Sequence, residues 1–185
     1  MRALLGAAGF LVVLALVPGV VLARPEAPHA SRLQGRWTQT HTCQQLLTAL
    51  RKAGLAATAP AAVGDYFPSS TPQQLAKKTN LCRGAKPQLH SHFFTGGSFG
   101  SVDQHNQQVD NGTYRIVNAN TVHINSGTFH FHVSGGNRLT LIPVITTRMR
   151  RAALARPLKF STAVWEVAVA YTGQTWKRVP CGSWC

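Results

Sequence analysis

The sequence predicts a mainly β fold, an antiparallel up-and-down barrel of eight or nine strands with one helix directly after the first strand. Three observations predict it. From Leu89 onward apolar and polar residues alternate with a period of two, and turn residues recur at short spacing, which is the pattern of a meander. Three successive hairpins, each registered on its own turn, place a common set of apolar residues on one face. The strand segments are also numerous: Leu33–His41, Leu89–Phe94, Phe99–Gln104, four in the meander, Val164–Tyr171 and Thr175–Val179. So many strands are better closed on themselves than left with two open edges.

The chain begins with the basic pair Met1-Arg2 and an uncharged, almost wholly apolar run from Ala3 to Leu22, and Val21-Leu22-Ala23 reads as a small-x-Ala cleavage site. Residues 1–23 are therefore expected to be an export signal, with a retained membrane anchor as the alternative. Residues 24–32, polar and broken by Pro25 and Pro28, read as a flexible leader. Residues 33–185 suffice for a single domain and are short for two. The balance of 19 Lys and Arg against 5 Asp and Glu, a net charge of +14, excludes a long acidic disordered chain and argues against a cytoplasmic enzyme. Four cysteines, Cys43, Cys82, Cys181 and Cys185, follow the export signal; an even number there points to two disulfides in one of three pairings. Zinc on these sulfurs is disfavoured because Cys43 and Cys82 each stand alone. The expected location is secreted and extracellular.

After the first strand, Thr42 caps a helix from Cys43 to Ala53, whose apolar stripe is Leu46, Leu47, Leu50 and Ala53. Gly54 stops it. Ala56 to Ser70 is rich in Ala, Pro and Gly and reads as irregular, and a short helix runs from Pro72 to Lys78 before Cys82. In the meander, a three-residue loop at Asn118-Ala119-Asn120 sets Ile116 opposite Val122 and Tyr114 opposite Ile124. A two-residue turn at Ser126-Gly127 sets Ile124 opposite Phe129, His123 opposite His130, Val122 opposite Phe131 and Thr121 opposite His132. A loop at Gly135-Gly136-Asn137 sets Val133 opposite Leu139 and Phe131 opposite Leu141. Thr146 to Ser161 is a basic loop or short helix ended by Pro157, and Gly173-Gln174 turns the chain into the last strand.

The ends of this strand series resemble the lipocalins and their calycin relatives. Gly35-Arg36-Trp37 opens the first strand as the Gly-x-Trp element opens lipocalins, and Thr175-Trp176-Lys177-Arg178 closes the last where that family keeps a basic residue over the Trp. The resemblance covers about residues 33–180 and implies that Trp37 and Arg178 close the barrel. It also implies an apolar lumen for a small hydrophobic ligand. Its lining would be Tyr114, Ile116, Val122, Ile124, Phe129, Phe131, Leu139 and Leu141. Lipocalins carry their main helix before the final strand, whereas here the clearest helix follows the first. If Trp37 lies beside Arg178 on antiparallel strands, Cys181 falls near Gln34, and Cys43 lies roughly 30 Å away along the strand. A disulfide spans only about 4.4–6.8 Å between Cα atoms, so the barrel implies Cys43–Cys82 and Cys181–Cys185. His90 to Thr95, Val109 to Tyr114 and the Cys-terminated tail also resemble secreted actinobacterial proteins, a likeness that implies no function.

Catalytic constellations are sparse. His90-x-His92 and His130-x-His132 each put two imidazoles on one side of a strand, and the register above adds His123 beside His130. His123, His130 and His132 are thus candidates for a three-His metal site. Arg115 opposite His123 and the lack of a nearby carboxylate argue instead for a histidine stripe on the barrel exterior, so no metal and no cofactor are expected. Gly84 and His90-x-His92 mimic half a cupin motif, but Phe93 to Gly97 holds no acid and the second motif is missing. Of the acids, only Asp65, Asp103, Asp110 and Glu166 lie in the domain; Asp110 reads as a turn residue and Glu166 as an outward strand residue. No nucleophile elbow, phosphate loop or HExxH is present.

The basic patch Arg148, Arg150, Arg151, Arg156 and Lys159 suits an anionic envelope surface or a polyanion, and no helix-turn-helix, finger or RNA-binding signature points to sequence-specific nucleic acid. The expected function is a monomeric, secreted binding protein for a small hydrophobic molecule, without catalysis. The rivals are a secreted enzyme, either a His-metal hydrolase or hydratase or a basic nuclease, and an interaction protein working through residues 148–159.

Overall fold

The computed structural model describes residues 30–67, 70–170 and 174–185. The expected export signal, residues 24–29 of the leader, part of the Ala/Pro-rich segment, and Tyr171 with the turn at Gly173 lie outside the described residues. Eight strands form a closed barrel in which each pairs antiparallel with its sequence neighbours and the first pairs with the last. They are β1 (Gly35–His41), β2 (Gln88–Thr95), β3 (Ser98–Val102), β4 (Gln108–Asn118), β5 (Thr121–Ile124), β6 (Gly127–Ser134), β7 (Arg138–Pro143) and β8 (Trp176–Val179).

Six helices accompany the barrel among the described residues: α1 (Ala30–Leu33), α2 (Cys43–Lys52), α3 (Ala59–Tyr66), α4 (Pro72–Leu75), α5 (Thr147–Ala155) and α6 (Thr162–Ala170). Leu33 thus ends a helical turn, and β1 begins only at Gly35. The expected helix after β1 is α2. A reciprocal cap starts it: the Gln45 amide donates to Thr42 Oγ1 (3.2 Å) and the Thr42 amide to Gln45 Oε1 (2.8 Å). Part of the segment read as irregular is α3, because Pro60 sits in its first turn, where no intrahelical donor is needed.

The largest departure is Val164 to Ala170, read as a strand and found in α6. Seven of the nine residues of α6 are buried, Glu166 among them. The helix packs on β6 and β7 on one side and on α2, α3 and α5 on the other. A helix buried nearly all round carries no polar face, so its alternating Val and Ala mimic a strand. The barrel has eight strands and not nine for this reason, and α6 precedes the final strand.

Two of the three meander registers stand as read, with Ile116 opposite Val122 and Val133 opposite Leu139. The β5–β6 hairpin differs: Val122 faces Phe129, Thr121 faces His130, and His123 faces Thr128. The turn is Asn125-Ser126, one residue earlier than expected. Asn125 takes the left-handed conformation (φ 51°), receives the Thr113 amide on Oδ1 (3.0 Å) and donates Nδ2 to the Asn111 carbonyl (3.2 Å). Gly127 is a strand residue whose missing Cβ lets α6 approach; a Cβ there would sit 3.0 Å from both Glu166 Cγ and the Trp165 ring. The cross-strand pairing slips by two residues, so every side chain keeps its face.

Two hydrophobic cores result. The barrel core holds Trp37, Phe94, Phe99, Tyr114, Phe129, Phe131 and Trp176, with Leu33 of α1 at the start of β1 and Val169 and Ala170 of α6. The second lies among the helices, around Leu46, Leu50, Leu55, Val63, Leu75 and Val167. Disulfides join Cys43 to Cys82 and Cys181 to Cys185, with Cα separations of 5.6 and 5.5 Å. The second pair closes the tail so that Trp184 stacks flat on Phe93 outside β2, ring centres 5.0 Å apart.

Candidate functional site

Side chains alternate along a strand, so the residues that share a face with Trp37 on β1 are Gln39 and His41, and those with Phe94 on β2 are His90 and His92. Trp37 pairs with His92 and Gln39 with His90; Ser101 of β3 pairs with His92 and with Asp110 of β4. The inward rows therefore change from aromatic to polar toward one end of the barrel. There, beneath α3 and α6, is a cavity of about 390 Å³ whose polar lining includes His41, His90, His92, Asp65, Asp103 and Asp110. Three of the five acids of this strongly basic chain meet around it.

The histidines are held tightly. His41 stacks on His90 at 5.5 Å and meets the Trp176 ring edge-on at 4.9 Å, and His92 lies 4.1 Å from the same indole. His92 Nε2 is 3.1 Å from the Val169 carbonyl, which can only accept, so this nitrogen carries the proton. Nδ1 then accepts from the Ser101 hydroxyl at 3.1 Å. His41 Nε2 contacts Gln39 Oε1 (3.2 Å), and the amides of Gln39 and Gln45 both donate to Gln174.

Burial, followed by the neighbouring imidazoles, lowers the pKa of His41 to about 2. Burial and then His90 lower that of His92 to about 3, against the pull of the Val169 carbonyl. Burial also lowers His90, opposed by Asp103. The three rings are neutral at physiological pH. Desolvation would raise Asp103, but the amides of Gln107 (2.9 Å) and His105 (2.8 Å) on its Oδ1, with His105 and His90 nearby, bring it below its ordinary value. Asp65 is raised by burial. Asp110 Oδ2 accepts the Trp165 indole N–H at 2.7 Å, which pins α6 across the mouth.

This end of the barrel thus offers anionic and neutral acceptors beside aromatic walls. A hydrogen-bond donor or a cation is the head group it suits.

The residues singled out from sequence fall elsewhere. Tyr114, Val122, Ile124, Phe129, Phe131, Leu139 and Leu141 are buried against one another in the barrel core, with Ile116 packed beside them, and none lines the mouth cavity. His123, half-buried, bonds Thr128 Oγ1 (3.3 Å), and the exposed His130 bonds Thr121 Oγ1 (3.2 Å). The expected direct pairing of His123 with His130 is replaced, through the two-residue slip, by His123 opposite Thr128. His132, also exposed, pairs with Thr140. Among the described residues no group of three His, Cys, Asp or Glu is placed to hold a metal ion. His90 and His92 point inward, and Asp110, read as a turn residue, is instead a strand residue of β4 at the mouth. His41 escaped notice, although it shares the parity of Trp37 on β1.

The fold and the cavity define a closed eight-stranded up-and-down barrel whose core is filled by its own aromatic side chains and whose polar mouth is roofed by helices. Compared with family models, curated proteins and solved structures, the chain matches none.

Proposed function

We propose that the protein is a secreted, lipocalin-like binding barrel that takes a small, mainly apolar molecule by its polar end, in the mouth and not deep in the lumen. The observation that carries this reading is the convergence of three neutral imidazoles and three carboxylates on one cavity of about 390 Å³. That volume is within the range of small-ligand sites, roughly 300–1,000 Å³. Tyr66, Phe160 and Trp165 supply apolar wall for the rest of the ligand. The lipocalin-like reading is supported by Arg178 over Trp37 and by a buried helix, α6, placed before the last strand, although the longest helix, α2, follows the first. Two disulfides suit an oxidising compartment, which favours export.

Calorimetric titration with octylamine, octanol and octanoate tests it. Octylamine should bind at least about tenfold more tightly than octanoate, since the carboxylates repel the latter. Replacing Asp103 and Asp110 together by Asn should erase the difference. Equal affinities for the three probes in the unaltered protein would refute the reading.

A further inference from the structure

The five cations read as one patch do not act alike. Arg150 Nε donates to the Ala53 carbonyl at 3.0 Å, and its side chain lies over Gly54, so it is committed to the end of α2. Arg148, Arg151, Arg156 and Lys159 stay exposed along α5 and the turn that follows it. Among them stand two exposed leucines, Leu154 (40% exposed) and Leu158 (37%). Ala153 turns inward and anchors α5 in the helical core, which leaves this surface outward. Beside it runs a groove of about 420 Å³ bordered by Arg148, Arg156 and Lys159, with the hydroxyl residues Ser161 and Thr162 at one side and Met149 and Ala153 along the floor.

From this juxtaposition we infer that α5 and residues 156–159 form a docking surface for a bilayer of anionic phospholipid. Cations alone suit any polyanion. Exposed leucines interleaved with cations suit an interface where headgroup charge lies beside hydrocarbon. The groove receives an anionic headgroup between Arg148, Arg156 and Lys159, while Leu154 and Leu158 enter the headgroup–acyl boundary. A nucleic acid or a sulfated polysaccharide would satisfy the charges and leave the leucines in water. The inference is independent of the mouth cavity, although Phe160 borders both spaces.

Co-sedimentation of the full chain with phosphatidylglycerol and with phosphatidylcholine vesicles, across a range of salt, is the test. Binding should be confined to the anionic vesicles and should weaken as salt rises. Replacing Arg148, Arg156 and Lys159 together by Gln should lower vesicle affinity by on the order of 100-fold. The pair Leu154→Ser and Leu158→Ser should lower it roughly tenfold and leave binding to heparin unchanged. Unaltered urea midpoints would show that these surface variants still fold. Two results overturn the inference: equal binding to neutral and anionic vesicles, as the apolar run 3–22 alone would give, or vesicle binding indifferent to the leucine pair.

Discussion

The Arg178 guanidinium carbon lies 4.4 Å from the centre of the Trp37 ring, and the two residues face each other across β1 and β8, the strands that close the barrel. The pair is also tied to the helical turn before β1. Arg178 Nη2 donates to the Arg32 carbonyl at 2.6 Å, and the Trp37 indole N–H donates to the Leu33 carbonyl at 2.7 Å. One cation thus covers the aromatic floor of the barrel and holds the segment that plugs it. Because the guanidinium stacks and hydrogen-bonds at once, an ammonium should not replace it. Arg178→Lys should cost about 1–2 kcal/mol in a urea melt; a midpoint unchanged from the parent would argue that the contact is idle.

Phe131 is buried in the barrel core and its neighbour His132 points outward. Phe131→Ala should therefore cost about 3–5 kcal/mol, and His132→Ala well under about 1 kcal/mol. Equal losses in the two melts would contradict the register of β6 and β7.

The two disulfides should contribute unequally. Cys43–Cys82 joins α2 to the approach of β2 across a separation of 39 residues, and chain-entropy arithmetic gives it roughly 3–4 kcal/mol. Cys181–Cys185 closes a separation of only 4 and should matter far less to stability. Its loss should be read instead as a change in tryptophan emission, as Trp184 leaves Phe93. Peptide mapping without reduction should recover both pairs.

Two opposed titrations overlap between about pH 4.5 and 6.5, and the two histidines outweigh the one carboxyl, so the net contribution of these groups to stability should fall on acidification below about pH 6.5. His41 and His92 titrate at about 6.5 when unfolded and at about 2 and about 3 when folded. The unfolded chain therefore binds more protons below about pH 6.5, and stability falls on acidification by up to about 1.4 kcal/mol per pH unit for each group. Glu166 runs the other way. It is 1% exposed, Oε2 has no hydrogen-bond partner among the described residues, and burial raises its pKa from 4.5 to about 7. Its protonated form holds full stability below about pH 4.5, and that contribution is lost as pH rises to about 7. Glu166→Gln should match the parent at pH 4.5 and exceed it at pH 8. A constant difference at both values would contradict the assignment.

The barrel was legible because its evidence is local. Each hairpin register rests on a turn and a period of two, and a two-residue error at Asn125-Ser126 left every face unchanged. What escaped was set by distant partners. Val164 to Ala170 is helical because barrel and helices wrap it on nearly every side, and no sequence window shows that wrapping. His90 and His92 carry the parity of Phe94 and could have been placed inward had that parity been followed from Phe94 backward. Asp65, Asp103 and Asp110 come from three separate segments, and only closure brings them together.

The strand that completes the ring is short. β8 has four residues, three paired to β1 and two to β7, and it carries Trp176, against which both His41 and His92 rest. Residues 42–87 separate β1 from β2 and residues 144–175 separate β7 from β8, so the ring closes over two long connections, and β8, with the fewest paired residues, has the least to hold it. Release of those four residues would take away the indole behind His41 and His92 while the remaining seven strands stay paired. Such an opening would be a local breath of the barrel at its seam, resisted by the Arg178 clasp and not by the stability of the whole fold.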